Sequence, residues 1–140
     1  MLTEEQQHFL FAGVPPENYW YIRIPGQPPA KKRVGHRGRR TFNPSDRHEE
    51  RFRDSVFISA PSLPRSDPRS LFGVRAIFWC SPDHPVPDGD NCMKLVLDAL
   101  QHAIWENDRQ VREQASHIGF SPRNPRTDLV VWRLTADWIE

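Results

Sequence analysis

The sequence predicts an α+β domain with a mixed sheet of about four strands and two main helices packed on it. Two segments lead to this prediction. Residues 71–81 carry apolar side chains on both faces of a predicted strand, which indicates a central strand. Residues 91–105 repeat apolar residues at helical spacing, which indicates an amphipathic helix. With the flanking segments they give the order β–α–β–α–β–β, which is typical of α+β and mixed α/β folds.

The first quarter of the chain is predicted to supply a short helix, a strand and a loop. Residues 3–11 fit a helix that begins with Thr3 and Gln6 as a capping box. Residues 19–24, YWYIRI, are typical of a strand. The Gly- and Pro-containing residues 25–42 indicate a loop or an irregular hairpin.

The next segment is predicted to form the first main helix. Asn-Pro at 43–44 is typical of a helix start, and the helix extends to about residue 60 with Phe52 and Val56 on its inner face. Residues 61–70, PSLPRSDPRS, indicate a turn-rich linker that we expect to be exposed and mobile.

The second half is predicted to supply the remaining sheet and the second helix. After the strand at 71–81, the proline-rich residues 81–87 exclude regular structure. The helix at 91–105 is followed by strands at 110–118 and 128–136.

One domain is the expectation for a chain of 140 residues. We expect residues 1–18 to be an N-terminal extension and residues 19–140 to form a single domain. The sequence has no apolar run of about 18 residues and no cationic start typical of a signal peptide. A cytoplasmic protein is therefore predicted.

Two aspartates in PDGDNCMK, residues 87–94, stand directly before the second helix. Asp90 falls at or next to the predicted N-cap, a position that aspartate favours. A cap leaves Asp88 unexplained, because a second carboxylate so close repels the first unless a cation lies between them. Mg²⁺ is a hard cation that takes such oxygens. A cap and a metal site are both compatible with this segment.

Lys94 follows Asp90 by one helical turn. It is either one half of an ordinary surface ion pair or an ammonium that binds a phosphate near the acids. Asp98 continues this stripe as a partner of Lys94 or a surface residue. Asp108 lies beyond the helix, and spacing alone favours a turn residue over a ligand there.

Four metal-capable side chains raise a zinc alternative: Cys80, Cys92, His84 and His102. No close Cys-x-x-Cys pair accompanies them. Two thiols packed in the core are therefore favoured over zinc.

Three motifs resemble the RusA-type Holliday-junction resolvases, the crossover junction endodeoxyribonucleases. Asp-Gly-Asp-Asn-Cys-Met-Lys at 88–94 is similar to the Asp-x-Asp-Asn-x-x-Lys segment of that family. Asp-Ala-Leu follows at 98–100, and Asn-Asp-Arg-Gln-Val at 107–111 is similar to the family's acid-pair motif with its glutamine. The basic, glycine-containing GHRGRR at 35–40 adds to the resemblance, which extends over roughly residues 20–135.

The resemblance implies a RusA-like, dimeric fold and a site of four residues. Asp88, Asp90 and Asp108 would be the Mg²⁺ ligands, with Mn²⁺ as a substitute, and Lys94 would be the catalytic lysine. The implied partners are branched DNA, namely a four-way junction, and a second copy of the chain.

A basic segment precedes the first main helix. Six cations lie within ten positions: Lys31, Lys32, Arg33, Arg37, Arg39 and Arg40. Such a run is either a solvated loop or a surface for a polyanion, and its arginines suit phosphate contacts. We expect it to bind nucleic acid.

Together with these residues, the resemblance implies a Mg²⁺-dependent endodeoxyribonuclease that resolves Holliday junctions by paired symmetric nicks in DNA recombination and repair. Two alternatives stay open. One is a metal-dependent nuclease that acts on other branched DNA or on RNA. The other is a non-catalytic nucleic-acid-binding protein whose acids only cap and solvate.

Overall fold

The computed structural model describes residues 1–30, 35–37, 40–42 and 46–140, with the backbone alone at 35–37, 40–42 and 46. It confirms the predicted α+β class and the mixed sheet of four strands. The described helices and strands follow one another as α1 Glu4–Phe11, β1 Tyr19–Pro25, β2 Gly35–Arg37, β3 Arg40–Phe42, α2 Asp46–Ser59, β4 Phe72–Cys80, α3 Gly89–Leu100, β5 Val111–Phe120 and β6 Arg126–Arg133.

The four-stranded sheet has the order β1-β6-β4-β5. β6 pairs antiparallel with β1 and β4, whereas β4 and β5 are parallel. β5 is therefore a terminal strand, and β4 is a central strand, as its two apolar faces predicted. β2 and β3 pair antiparallel in a separate two-stranded sheet.

The two faces of the sheet bury different clusters. One face packs against α2 and α3, with Phe52 and Val56 of α2 buried as predicted. The opposite face buries Ile77, Val130 and Trp132 against Leu10 of α1. Residues 1–18 thus cover the sheet face that lies away from the two main helices.

The helix predicted at 91–105 is shorter in the structure. It begins at Gly89 and ends at Leu100, and the next residue, Gln101, is its C-cap. His102 has a positive φ of 64°, which a helix cannot continue through. Trp105 is fully buried, but it lies in an isolated β-bridge after the turn rather than in the helix.

The linker predicted at 61–70 is mostly exposed, as expected, but it is anchored to the rest of the chain at several points. Leu63 is buried, and the Asp67 amide donates to the Ile104 carbonyl at 2.8 Å. The Asp67 carboxylate accepts from the Ser70 amide and from Arg133. A proline-rich composition marked the turns correctly but could not indicate these long-range contacts.

No helix within the described ranges is long and apolar enough to cross a membrane.

Candidate active site

The connection between β4 and β5 decides where the candidate residues lie. Parallel strands require a crossover, and α3 makes it by running back along the sheet. The first turn of α3 therefore lies near the end of β5, where a Cβ on Gly89 would be 3.6 Å from Ile118. The residues after α3 lie near the start of β5.

Asp88, rather than Asp90, is the N-cap of α3. Its side chain accepts a hydrogen bond from the Asp90 amide at 2.9 Å. Asp90 is the second residue inside the helix, two positions after the cap, whereas the sequence placed it at or next to the cap. The Asp88 carboxylate, which the cap prediction left unexplained, thus has a local structural role, and the Asp90 side chain is exposed to solvent.

A cleft of about 610 Å³ runs between α3 and β5. It brings together residues from the helix, the following turn and the strand: Asp90, Met93, Lys94, Leu97, Asp98, Asp108, Gln114, Ala115 and Ser116. Asp90, Lys94 and Asp108 are exposed. A lysine between acids along an open cleft can bind an anionic group whose charge a cation also balances.

Asp108 begins a short 3-10 turn, Asp108–Gln110, that leads into β5. Asn107 and Gln110 form a capping box around it, with the Gln110 side-chain oxygen 2.9 Å from the Asn107 amide. The Gln110 side-chain nitrogen also donates to the carbonyls of Asp67 and Ser70. Gln110 therefore fixes Asp108 against the anchored segment 61–70.

Asp108 has a distinctive electrostatic environment. Although the residue is exposed, neighbouring protein atoms remove part of the hydration of its carboxyl group and so raise its pKa, and the nearby Asp98 raises it further. A hydrogen bond from the Trp105 indole at 3.3 Å and the nearby His102 oppose this shift. When the Gln101 amide nitrogen faces the site, it lies 3.3 Å from both carboxyl oxygens.

Asp88, Asp90 and Asp108 do not converge on one point within a single chain. Asp108 has its neighbours at the C-terminal end of α3, whereas Asp88 and Asp90 lie at its start. α3 has 12 residues, which corresponds to about 18 Å. Across the residues with described side chains, no three His, Cys, Asp or Glu form a group that could hold a metal ion.

The cysteines pack in the core, as the favoured interpretation predicted. Cys80 and Cys92 are both fully buried between the sheet and α3. Burial raises the pKa of both thiols, that of Cys92 to about 12. His84 and His102 are exposed and lie on other segments.

The predicted DNA-binding set falls largely beyond the described part of the chain. Lys31, Lys32, Arg33 and Arg39 lie outside it, and Arg37 and Arg40 are described by their backbone alone. Before this segment, the Ser81 amide donates to the Gln27 side chain at 2.8 Å, which joins the residues after β1 to the end of β4. Ser81 begins the loop that leads to Asp88.

Sequence reasoning missed the residues that surround Asp108. Gln101 and Trp105 were expected inside a continuous helix, so their convergence on Asp108 had no visible signal. Gln114 and Ser116 of β5 line the cleft without belonging to any motif.

The crossover helix presents an open cleft lined by carboxylates and one lysine, a combination typical of the class of metal-dependent nucleases. The comparison with family models is more specific. The model of endodeoxyribonuclease RusA matches residues 25–131, so the chain belongs to the RusA endodeoxyribonuclease family. It is a Holliday-junction-resolving endodeoxyribonuclease of a metal-dependent family that binds branched DNA. No curated protein matched the sequence.

Proposed function

We propose that this chain resolves four-way DNA junctions by Mg²⁺-dependent, paired symmetric nicks, in recombination and repair. The observation that carries this proposal is the cleft between α3 and β5, which is lined by Asp90, Lys94 and Asp108. Their place in a RusA-family chain supports an assignment of these residues, with Asp88, to phosphodiester hydrolysis.

The donor chemistry of the proposed ligands fits a hard cation. Asp88 and Asp90 are exposed carboxylates one residue apart, and Mg²⁺ or Mn²⁺ prefers such oxygens while keeping several waters. When bound, the ion would activate water and stabilise charge on the reacting phosphate. Asp88, Asp90 and Asp108 would hold it, although one chain alone does not assemble all three.

Lys94 would bind the phosphate that is cleaved. Its side chain is exposed in the cleft, one turn after Asp90, so its ammonium can approach a backbone phosphate without being buried. In that position it would balance the negative charge that develops in the transition state.

A homodimer would explain both the paired nicks and the incomplete acid set. Isologous dimers pair the same surface of each copy, and β5 is a terminal strand that can accept another strand. Antiparallel pairing of two β5 strands would bring the Asp108 end of one copy to the Asp90 end of the other. Two symmetric sites would result, each with acids from both chains.

Replacement of Asp88 by asparagine tests the assignment. Asparagine keeps an oxygen for the helix cap but removes the negative charge. We expect Asp88→Asn to abolish junction nicking in Mg²⁺ while its unfolding midpoint and its junction affinity in EDTA stay at wild-type values.

A panel of junction, fork, duplex, single-stranded and RNA substrates tests the substrate. We expect paired nicks in the four-way junction at a higher rate than in any other substrate. Full nicking by Asp88→Asn would remove this residue from the site, and faster cleavage of forks or RNA would replace the junction as substrate.

A further inference from the structure

The wall of the cleft that β5 forms carries polar side chains without charge. Gln114 and Ser116 line the cleft from this strand. Gln114 is exposed, and Ser116 is half-buried. The opposite wall, on α3, contributes charged and apolar side chains: Asp90, Met93, Lys94, Leu97 and Asp98. The two walls therefore offer different chemistry to a ligand that lies between them.

The alternation of side chains along β5 turns Gln114 and Ser116 towards α3. Ile118, two residues further on, packs against the core cluster that the sheet shares with α2 and α3. His117 faces the other side of the sheet, where its ring centroid is 6.1 Å from that of Phe9 of α1. Because successive side chains of a strand point to opposite faces, Gln114 faces the same side as Ile118.

Gln114 lies across the cleft from Lys94. A Cβ on Gly89, at the start of α3, would be 3.8 Å from Oγ of Ser116. From this level Lys94 is about 8 Å further along the helix axis, and Gln114 is about 7 Å back along β5. Since α3 runs back along the sheet between the parallel strands β4 and β5, both residues lie at a similar level on opposite walls.

The two walls together match the parts of a nucleotide. A phosphate bound to Lys94 leaves the attached sugar and base to face the rest of the cleft. A deoxyribose has no 2′-hydroxyl and offers an amide little to bond, whereas a base edge has both donors and acceptors. A glutamine amide also has both. Met93 and Leu97 add apolar surface for the base in the same cleft.

We propose that Gln114 is a substrate-binding residue that hydrogen-bonds the edge of a base next to the phosphate on Lys94. The inference rests on the proposed function, because it assigns a further contact to the same DNA in the same cleft. Lys94 would bind the phosphate of any nucleotide, whereas Gln114 would contact the base that the nucleotide carries.

Equilibrium binding of a four-way junction in EDTA, measured over a range of salt concentrations, tests this inference without requiring cleavage. Gln114→Ala is expected to weaken binding about fivefold, the effect of losing one neutral hydrogen bond. The slope of log affinity against log salt should stay at the wild-type value, because no phosphate contact is lost.

Junctions with a single abasic site separate a base contact from every other contact. The abasic site is placed in turn at each nucleotide around a fixed crossover, and the affinities of the wild type and Gln114→Ala are compared. Where the missing base is the partner of Gln114, the ratio of the two affinities should fall from about five to about one. At the other positions the ratio should stay unchanged.

His117→Ala is the matched control. His117 is exposed on the same strand, three residues further on, but it lies on the opposite face of the sheet. This variant should bind every junction like the wild type. Thermal unfolding of both variants shows whether each is folded at the assay temperature.

Wild-type affinity in Gln114→Ala, or an equal loss in His117→Ala, would overturn the inference. A loss in Gln114→Ala that no abasic site removes would also overturn it, because the contact would then be to something other than a base. These outcomes are independent of the proposed catalysis, which fails separately if the wild type binds junctions but nicks none in Mg²⁺.

Discussion

Asp88 and Asp108 are both aspartates of the candidate site, but their surroundings differ. Asp88 is exposed and gives one oxygen to a helix start. Asp108 lies against Trp105, close to Asp98, where ionisation is less favourable. Asp88 therefore has a role in starting α3, whereas the surroundings of Asp108 favour the neutral form of its carboxyl group.

The raised pKa of Asp108 gives the metal-free protein a specific pH dependence. A carboxyl group whose pKa is higher in the folded state than in the unfolded chain stabilises the fold at acid pH. That contribution is lost as the pH rises through the ordinary aspartate pKa, about 3.9, to the raised value. We expect Asp108→Asn, measured in EDTA, to unfold at higher denaturant concentration than the wild type at pH 7. The difference should vanish at pH 3; a difference of the same size at both pH values would show that ionisation of Asp108 is not its cause.

The residues of the site were predictable to different degrees. Asp88 and Asp90 stand out because they precede a strong helical pattern, although the sequence assigned the cap to the wrong one. The contacts of Asp108 could not be predicted, because they depend on how β5 pairs with β4 and on where α3 ends. Pairing between distant strands leaves little trace in local spacing.

At the scale of elements, the segment 61–70 acts as a support for the candidate site. It joins α2 to β4, and its Asp67 pairs with Arg133 at the end of β6. The backbone carbonyls of Asp67 and Ser70 accept hydrogen bonds from the Gln110 side chain, and Gln110 is two residues after Asp108. The turn that carries Asp108 is thus held from outside its own sequence neighbourhood.

Replacement of Asp67 by alanine is expected to destabilise this support. Partial burial opposes ionisation of Asp67, but bonds from Ser70, Arg69 and Arg133 outweigh it and lower the pKa of this carboxyl well below its ordinary value. Loss of these bonds should reduce the free energy of unfolding by about 1–3 kcal/mol at pH 7. A lowered pKa stabilises the fold above the ordinary value, and that effect is lost in acid.

Chemical denaturation at pH 7 and at pH 3 checks this expectation. The difference in the free energy of unfolding between the wild type and Asp67→Ala should be smaller at pH 3 than at pH 7. The same difference in unfolding free energy at both pH values would show that the charge of the Asp67 carboxylate does not stabilise the fold. Asp137→Ala offers a comparison, because Asp137 is also paired with an arginine, Arg112, but lies in the exposed C-terminal segment.

The elements themselves were predicted well where their periodicity is strong. β4 reads as a central strand because both of its faces are apolar, and the structure confirms it. The end of α3 was misplaced because Ala103 and Ile104 keep the helical spacing of apolar residues after the helix has stopped. Burial alone, without backbone geometry, gives the same pattern.

At the scale of the whole molecule, the arrangement of the acids favours two chains. Within the described part of one chain the acids are distributed along the cleft rather than gathered. If Asp90 of one copy works with Asp108 of the other, two defective variants can restore one site when they form a mixed dimer. If both acids act within one chain, they cannot.

A mixture of Asp90→Asn and Asp108→Asn chains, co-refolded, distinguishes these arrangements. We expect each variant alone to nick no junction. The mixture should recover about a quarter of the wild-type nicking, because half of the dimers are mixed and each mixed dimer has one intact site. A mixture as inactive as its components would place both acids in the same chain.

The two buried cysteines have a practical consequence. Alkylating reagents attack the thiolate, and Cys92 offers almost none while it is enclosed beneath α3. Alkylation of Cys92 therefore requires α3 to separate from the sheet. The alkylation rate thus depends on how often this helix, which carries Asp90 and Lys94, opens. The alkylation rate of Cys92 therefore reports how often this side of the cleft opens, and a DNA substrate that holds α3 in place would lower that rate.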